Sequence, residues 1–203
     1  MPTYESVLVL IGSALARPVG VAVVDLGARA SAGDAALDPG GVGKLAAIVA
    51  GDRLEDQREH FGADFLLEGV EGIDYSPVSV EKAQEVNRQA IREGRCTVLQ
   101  GSVADMLFAD DWFDMVTAFE TVYFWPDLPR CFREVFRVLK SGGTFLICNE
   151  CSDPVKDSKW PEIINGMTVY RDTQLKDALE QAGFRDVQTR RNRMGWLCVT
   201  ARK

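Results

Sequence analysis

Asp74 closes the run Gly69-Val-Glu-Gly-Ile73 and is followed by Tyr75 and then Ser76-Pro77. A carboxylate at the carboxyl end of a strand, where the next helix begins, can accept hydrogen bonds from both hydroxyls of a ribose. The placement points to a nucleoside-containing cofactor and leaves open which one. An acid that only caps the helix after Ser76-Pro77 is the competing reading. Cys148 and Cys151 form a lone C-x-x-C, a spacing that could hold a metal or cycle through a disulfide. It has no second pair, and the single histidine, His60, is remote in sequence, so two incidental thiols at a strand end explain it better and no metal is expected. The basic run Arg190-Arg191-Asn192-Arg193 could meet phosphate, but a solvated strand end or turn accounts for it.

Bulk properties narrow the classes. With 23 basic against 30 acidic residues the chain carries a net charge of −7, which argues against non-specific binding to nucleic acid or to an anionic membrane. Five cysteines are an odd count and suit a reducing, cytoplasmic setting better than a disulfide framework. The apolar segment Val7–Ile11 is too short to span a bilayer, and no basic leader precedes it. A chain of 203 residues is long enough to bury a core, and a single domain over 1–203 is expected.

The elements that must position Asp74 can be read from periodicity. Phe65–Ile73 reads as a strand. A helix follows, with Ser76 as cap, Pro77 first, Val80, Ala83, Val86, Ala90 and Ile91 on one face, and Gly94 as its stop. Thr97–Gln100 and Phe113–Phe119 read as strands. Asp127 caps a helix with Leu128, Phe132, Val135, Phe136 and Leu139 inward, ending at Gly142. Thr144–Cys148 is an apolar strand of the buried type. Asp172 or Thr173 caps a further helix that stops at Gly183, and Val187–Thr189 with Trp196–Ala201 forms a closing hairpin. Strands alternating with helices give an α/β fold. The expectation is a Rossmann-like, doubly wound, mostly parallel sheet of six or seven strands with an antiparallel C-terminal strand. Residues 28–43 and 50–64 are ambiguous between loop and helix.

Four segments occur in a familiar order: Gly72-Ile-Asp-Tyr-Ser76, Gln100-Gly-Ser-Val-Ala-Asp-Met-Leu-Phe108, Phe113-Asp-Met-Val-Thr-Ala118, and Arg133-Glu-Val-Phe-Arg-Val-Leu-Lys-Ser-Gly-Gly-Thr144. From Gly72 to Lys203 the chain resembles the class I S-adenosylmethionine-dependent methyltransferases, in the broad group that includes ubiquinone/menaquinone-type C-methyltransferases. The resemblance implies S-adenosyl-L-methionine as cofactor and methyl transfer to a small-molecule acceptor. It also implies that Asp74 takes the ribose hydroxyls, that Tyr75 lies against the adenine, and that Ser102 and Val103 meet the adenine edge. Asp25, Gly27 and Ala118 complete the implied cofactor contacts. The loop Phe119-Glu120-Thr-Val-Tyr123-Phe-Trp125 would border donor and acceptor, with Glu120 and Tyr123 as candidate catalytic groups and Phe124 as a core plug. Gly142-Gly143 reads as a helix stop and tight turn. A homo-oligomer stays open.

The glycine loop departs from the family pattern. A strand ending in an acid should lead into Gly-x-Gly-x-Gly, where the backbone approaches the cofactor closely. Val21–Leu26 has the strand, Asp25 and Gly27, but Ala28-Arg-Ala-Ser-Ala32 lacks the later glycines. Leu37-Asp-Pro-Gly-Gly-Val-Gly43 has glycines but no convincing strand before it. Asp74 also lies well beyond the ~20 residues that usually separate such an acid from the loop. Little chain precedes Val21, which leaves scant room for the N-terminal helices that in the family cover the acceptor. The domain thus divides into a divergent part, 1–70, and a well-matched part, 71–203. Two other functions stay open on this basis. One is a non-catalytic module of the same fold; the other is an NAD-dependent oxidoreductase, which could use Asp74 in the same way.

Overall fold

The computed structural model describes residues 4–5, 20–24, 29–30, 69–94, 96–192 and 195–203. Nine strands lie among them: β1 (Tyr4–Glu5), β2 (Gly20–Val24), β3 (Arg29–Ala30), β4 (Gly69–Asp74), β5 (Cys96–Gln100), β6 (Phe113–Phe119), β7 (Leu139–Asn149), β8 (Arg185–Arg191) and β9 (Leu197–Arg202). The helices are α1 (Pro77–Val86), α2 (Arg88–Arg92), α3 (Leu128–Val138), α4 (Lys159–Ile163) and α5 (Asp172–Gln181). β1 and β3 form a small antiparallel pair of their own.

The other seven strands make one sheet in the order β5-β4-β2-β6-β7-β9-β8. β5, β4, β2, β6 and β7 are mutually parallel, and β9 is inserted antiparallel between β7 and β8. The expected doubly wound sheet with an antiparallel C-terminal strand is therefore present. β2 pairs with β4 on one side and β6 on the other, so the chain winds outward in both directions from it. The carboxyl ends of strands beside such a switch point form the crevice where open α/β sheets take their ligands. Asp74 ends β4 and Glu120 follows β6, so both sit at that rim.

Helices cover both faces. α3 and α5 pack Phe132, Val135, Leu175 and Leu179 against Phe113, Val116, Phe145 and Ile147 in the larger core. α1 packs Val80 and Ala83 on Cys96, Val98 and Met115 in a second cluster. Consecutive residues Met115 and Val116 of β6 serve opposite layers, as the pleat requires.

Local chemistry explains the boundaries. Ser76 caps α1 by accepting from the Ser79 N–H, with Pro77 in the first turn. The expected helix to Gly94 breaks at Asn87, whose Nδ2 donates to the Ala83 carbonyl at 2.8 Å and so competes for the helical acceptor. Asp127 caps α3, its Oδ1 accepting from the Arg130 N–H at 3.1 Å. α5 starts one residue before expectation: Arg171 is the cap, and Gln174 Oε1 accepts from its N–H at 2.9 Å.

Gly142-Gly143 does not stop a helix. α3 ends at Val138, and the chain enters β7 directly at Leu139. The register against β6 jumps from Phe113↔Leu139 to Met115↔Thr144, which leaves residues 140–143 as a bulge opposite Asp114. Gly142 takes φ +79°, and a Cβ on Gly143 would lie 2.8 Å from the Lys140 carbonyl oxygen and 3.1 Å from that of Asp114.

Candidate functional site

Asp74 is buried, 1% exposed as a residue. Its Oδ1 accepts from the Ser76 N–H at 2.7 Å, and its backbone oxygen accepts from the Gly101 N–H at 3.0 Å. The second bond fastens the end of β4 to the start of the segment after β5. Gln100 Nε2 adds a bond to the Tyr75 carbonyl at 3.1 Å. Beside this junction lies a cleft of about 230 Å³, lined by Tyr75 after β4, by Gly101, Ser102 and Val103 after β5, and by Phe124 and Pro126 after β6.

Tyr75 is exposed at the cleft. The Ser102 hydroxyl accepts from the Ala104 N–H at 3.2 Å, and the Ser102 carbonyl accepts from Asp105 N–H at 3.1 Å, giving a compact turn. Val103 is buried beside it. Phe124, expected in the core, is half-buried and lines the cleft while packing on the cluster of Tyr123, Ile164, Met167 and Val169. Asp74, Tyr75, Ser102 and Val103 are thus brought together. Ala118 is not: it is fully buried within β6 in the larger core. Asp25 and Gly27 lie outside the described residues. Of the two candidate glycine loops, the one at Asp25 follows a strand of the sheet, β2 (Gly20–Val24), which lies between β4 and β6 at the switch point.

Glu120 and Tyr123 form a separate constellation at the rim. Glu120 adopts φ +58°, a left-handed conformation that a non-glycine residue holds only when its surroundings fix it. Its N–H donates to the Cys148 carbonyl at 2.9 Å, and its Oε1 accepts from the Glu150 N–H at 2.6 Å. The Tyr123 hydroxyl donates to Glu120 Oε2 at 3.3 Å and accepts from the Cys151 N–H at 2.9 Å. Burial, and then the negative charge of Glu120, push the Tyr123 hydroxyl far above its ordinary pKa, so it stays protonated at neutral pH.

Sequence reasoning assigned no role to Arg130, Glu134 or Arg137, although the last two lie in the segment Arg133–Thr144. These three α3 residues reach across to the backbone between Ala104 and Phe108. Their i, i+4, i+7 spacing was the one available signal, since it places them on a common helix face. Among the described residues no group of three or more His, Cys, Asp or Glu could hold a metal ion, and the five cysteines are thiols rather than disulfides.

Comparison with known proteins agrees with this geometry. Residues 31–190 match the family model described as a methyltransferase domain. Over 134 residues the chain is 32% identical to cycloartenol-C-24-methyltransferase 1 of Oryza sativa subsp. japonica, a match that covers 60% of this chain and 38% of that protein. It is 29% identical over 132 residues to 2-methyl-6-phytyl-1,4-hydroquinone methyltransferase 1, chloroplastic, of the same plant, covering 64% of this chain and 38% of that protein. The matched segment is thus well under half the length of either relative. A SAM-dependent methyltransferase of Aquifex aeolicus shares the fold with a TM-score of 0.59 at 17% identity, over 93% of this chain and 84% of that one. The switch-point sheet, the acid at the end of β4 and the match over 31–190 converge, and the chain belongs to the class I S-adenosylmethionine-dependent methyltransferases.

Proposed function

We propose that this chain transfers a methyl group from S-adenosyl-L-methionine to a small-molecule acceptor, with the adenosine half of the cofactor held in the cleft beside Asp74. The observation that carries the reading is Asp74 at the end of β4, buried, its backbone carbonyl tied to the N–H of Gly101 in the cleft wall. The donor set fits a nucleoside. Asp74 would accept from the ribose hydroxyls, Tyr75 would stack on the base, and the Ser102-Val103 turn would meet its edge. Asp25 and Gly27 would complete the site from beyond β2, and Ala118 would support it from within β6.

When bound, the cofactor supplies an electrophilic sulfonium methyl, and transfer by in-line displacement depends chiefly on proximity and orientation. Tyr123, held protonated, acts here as a hydrogen-bond donor that orients Glu120. Glu120 is the group positioned to interact with an acceptor. The plant relatives are named for a sterol and a prenylated hydroquinone, which supports an acceptor with an apolar ring system, of the quinol type or similar. A cytoplasmic setting belongs to the same proposal, supported by the odd count of five cysteines, which suits a reducing compartment.

Calorimetry with S-adenosylmethionine, S-adenosylhomocysteine and NAD tests the reading. Binding of the first two and not the third is expected. NAD binding alone would overturn the cofactor, and binding of none would favour a non-catalytic module of this fold.

A further inference from the structure

The segment Ala104–Asp110 between β5 and β6 has little regular structure, yet its backbone is held at regular intervals by one helix. Arg130 Nε donates to the Ala104 carbonyl at 2.9 Å, Arg137 Nη2 to that of Met106 at 2.9 Å, and Arg137 Nη1 to that of Phe108 at 2.8 Å. Glu134 Oε2 accepts from the Met106 N–H at 3.1 Å. Every second carbonyl from 104 to 108 is therefore bound to α3. The guanidinium that makes two of these bonds is itself fixed. Its Nε meets Glu134 Oε1 at 3.0 Å, Nη2 meets Glu134 Oε2 at 2.8 Å, and Nη1 meets Asp110 Oδ1 at 2.7 Å. A planar fork engaged along both edges has one orientation, which a lysine ammonium could not reproduce.

The clamp bears on the cleft through both ends of the elements it joins. Ser102 and Val103 immediately precede the clamped segment, and Phe124 and Pro126 immediately precede α3. The two groups of lining residues are thus held relative to each other through α3 and its Arg137–Glu134 pair. Val103, Ala104 and Met106 are buried, which fixes the depth of the segment, but a line of apolar contacts resists sliding less than directional bonds do. We propose that Arg137, oriented by Glu134, is a positioning residue that sets the separation of the cleft walls, and with it the fit of the cofactor's adenine. It touches no ligand. The inference rests on the reading of this cleft as the adenosine site.

The test compares the parent chain with Arg137→Lys, Glu134→Gln and, as a control, Lys140→Gln, which removes the Lys140–Asp114 ion pair at the β7 bulge. Calorimetry with S-adenosylhomocysteine and with adenosine gives affinity and stoichiometry separately, so loss of folded protein lowers the stoichiometry while a misplaced wall raises Kd. Arg137→Lys is expected to weaken both ligands by about the same factor, roughly tenfold, at unchanged stoichiometry. Its KM for S-adenosylmethionine should rise more than its kcat falls. Lys140→Gln should leave both affinities as in the parent. Hydrogen exchange of the ligand-free proteins reads the clamp alone: the Met106 amide should lose protection in Arg137→Lys and Glu134→Gln. Unchanged exchange at Met106, or a Kd within twofold of the parent, would overturn the clamp. Parent protein that binds neither ligand would overturn the adenosine-site reading, and the proposal with it, whatever the exchange shows.

Discussion

The Tyr123 hydroxyl donates to Glu120 Oε2 at 3.3 Å while accepting from the Cys151 N–H at 2.9 Å. One phenol thereby ties the residue after β6 to the residues after β7. The partnership explains how Glu120 keeps a left-handed backbone that glycine would adopt without strain. It also divides labour between the pair. Tyr123 cannot serve as a base near neutral pH, since burial and the adjacent carboxylate hold its proton in place. That leaves Glu120 as the candidate catalytic group of the pair.

Tyr123→Phe should therefore behave mainly as a structural lesion. It removes the acceptor that the Cys151 N–H now uses and a donor to a carboxylate, a loss on the order of 1–3 kcal/mol. Urea denaturation should show that drop, with methyl transfer by the folded enzyme kept above about a tenth of the parent rate. A thousandfold loss of turnover with stability untouched would instead make the phenol a proton donor in the reaction.

Asp74 has two jobs that a pair of substitutions can separate. Its carboxylate accepts from the Ser76 N–H at the start of α1, and on the present reading it also accepts from the cofactor's ribose. Asp74→Asn keeps an oxygen for Ser76 but loses the charge. It should leave thermal stability within about 1 kcal/mol and weaken S-adenosylhomocysteine about 10- to 100-fold. Asp74→Ala should lose both. Undiminished cofactor affinity in Asp74→Ala would refute the ribose contact.

What could be read from the sequence was what neighbours in sequence decide. Ser76-Pro77, Asp127 and the run Phe113–Phe119 mark their elements because caps, proline and apolar runs act within a few residues. Asp74 was legible for the same reason, as the acid where a strand gives way to a capped helix. Gly142-Gly143 was misread because the residue that demands it, Asp114, lies on another strand: a bulge is defined by its partner. The Arg130–Glu134–Arg137 clamp showed in the sequence only as a helical spacing, because its partners after β5 are chiefly backbone carbonyls and one backbone N–H, which carry no sequence signature.

Gly143→Ala follows from that bulge. An added methyl would sit 2.8 Å from one backbone oxygen and 3.1 Å from another, and neither can swing aside as a side-chain tip would. Overpacking of this kind costs typically 1–3 kcal/mol. Denaturant titration should show such a loss, and a change below about 0.5 kcal/mol would mean that the bulge opens freely.

The Arg137–Glu134 pair should also leave a mark on acid stability. The Arg137 guanidinium, by direct hydrogen bonds, holds the Glu134 carboxyl below its ordinary value of 4.5, and the Met106 N–H adds to the effect. In the acid range the unfolded chain therefore binds the Glu134 proton before the folded one does. Linkage then makes stability rise with pH across that window. The contribution is complete above the unfolded value and is lost as pH falls through the lower folded one. The stability difference between the parent and Glu134→Gln should accordingly be flat from about pH 6 to 8 and shrink below about 4.5. Because the pair is only partly shielded from solvent, high salt should reduce the difference at every pH in that range. A difference that persists unchanged to about pH 3 would show that the carboxylate's charge contributes nothing to holding the segment after β5.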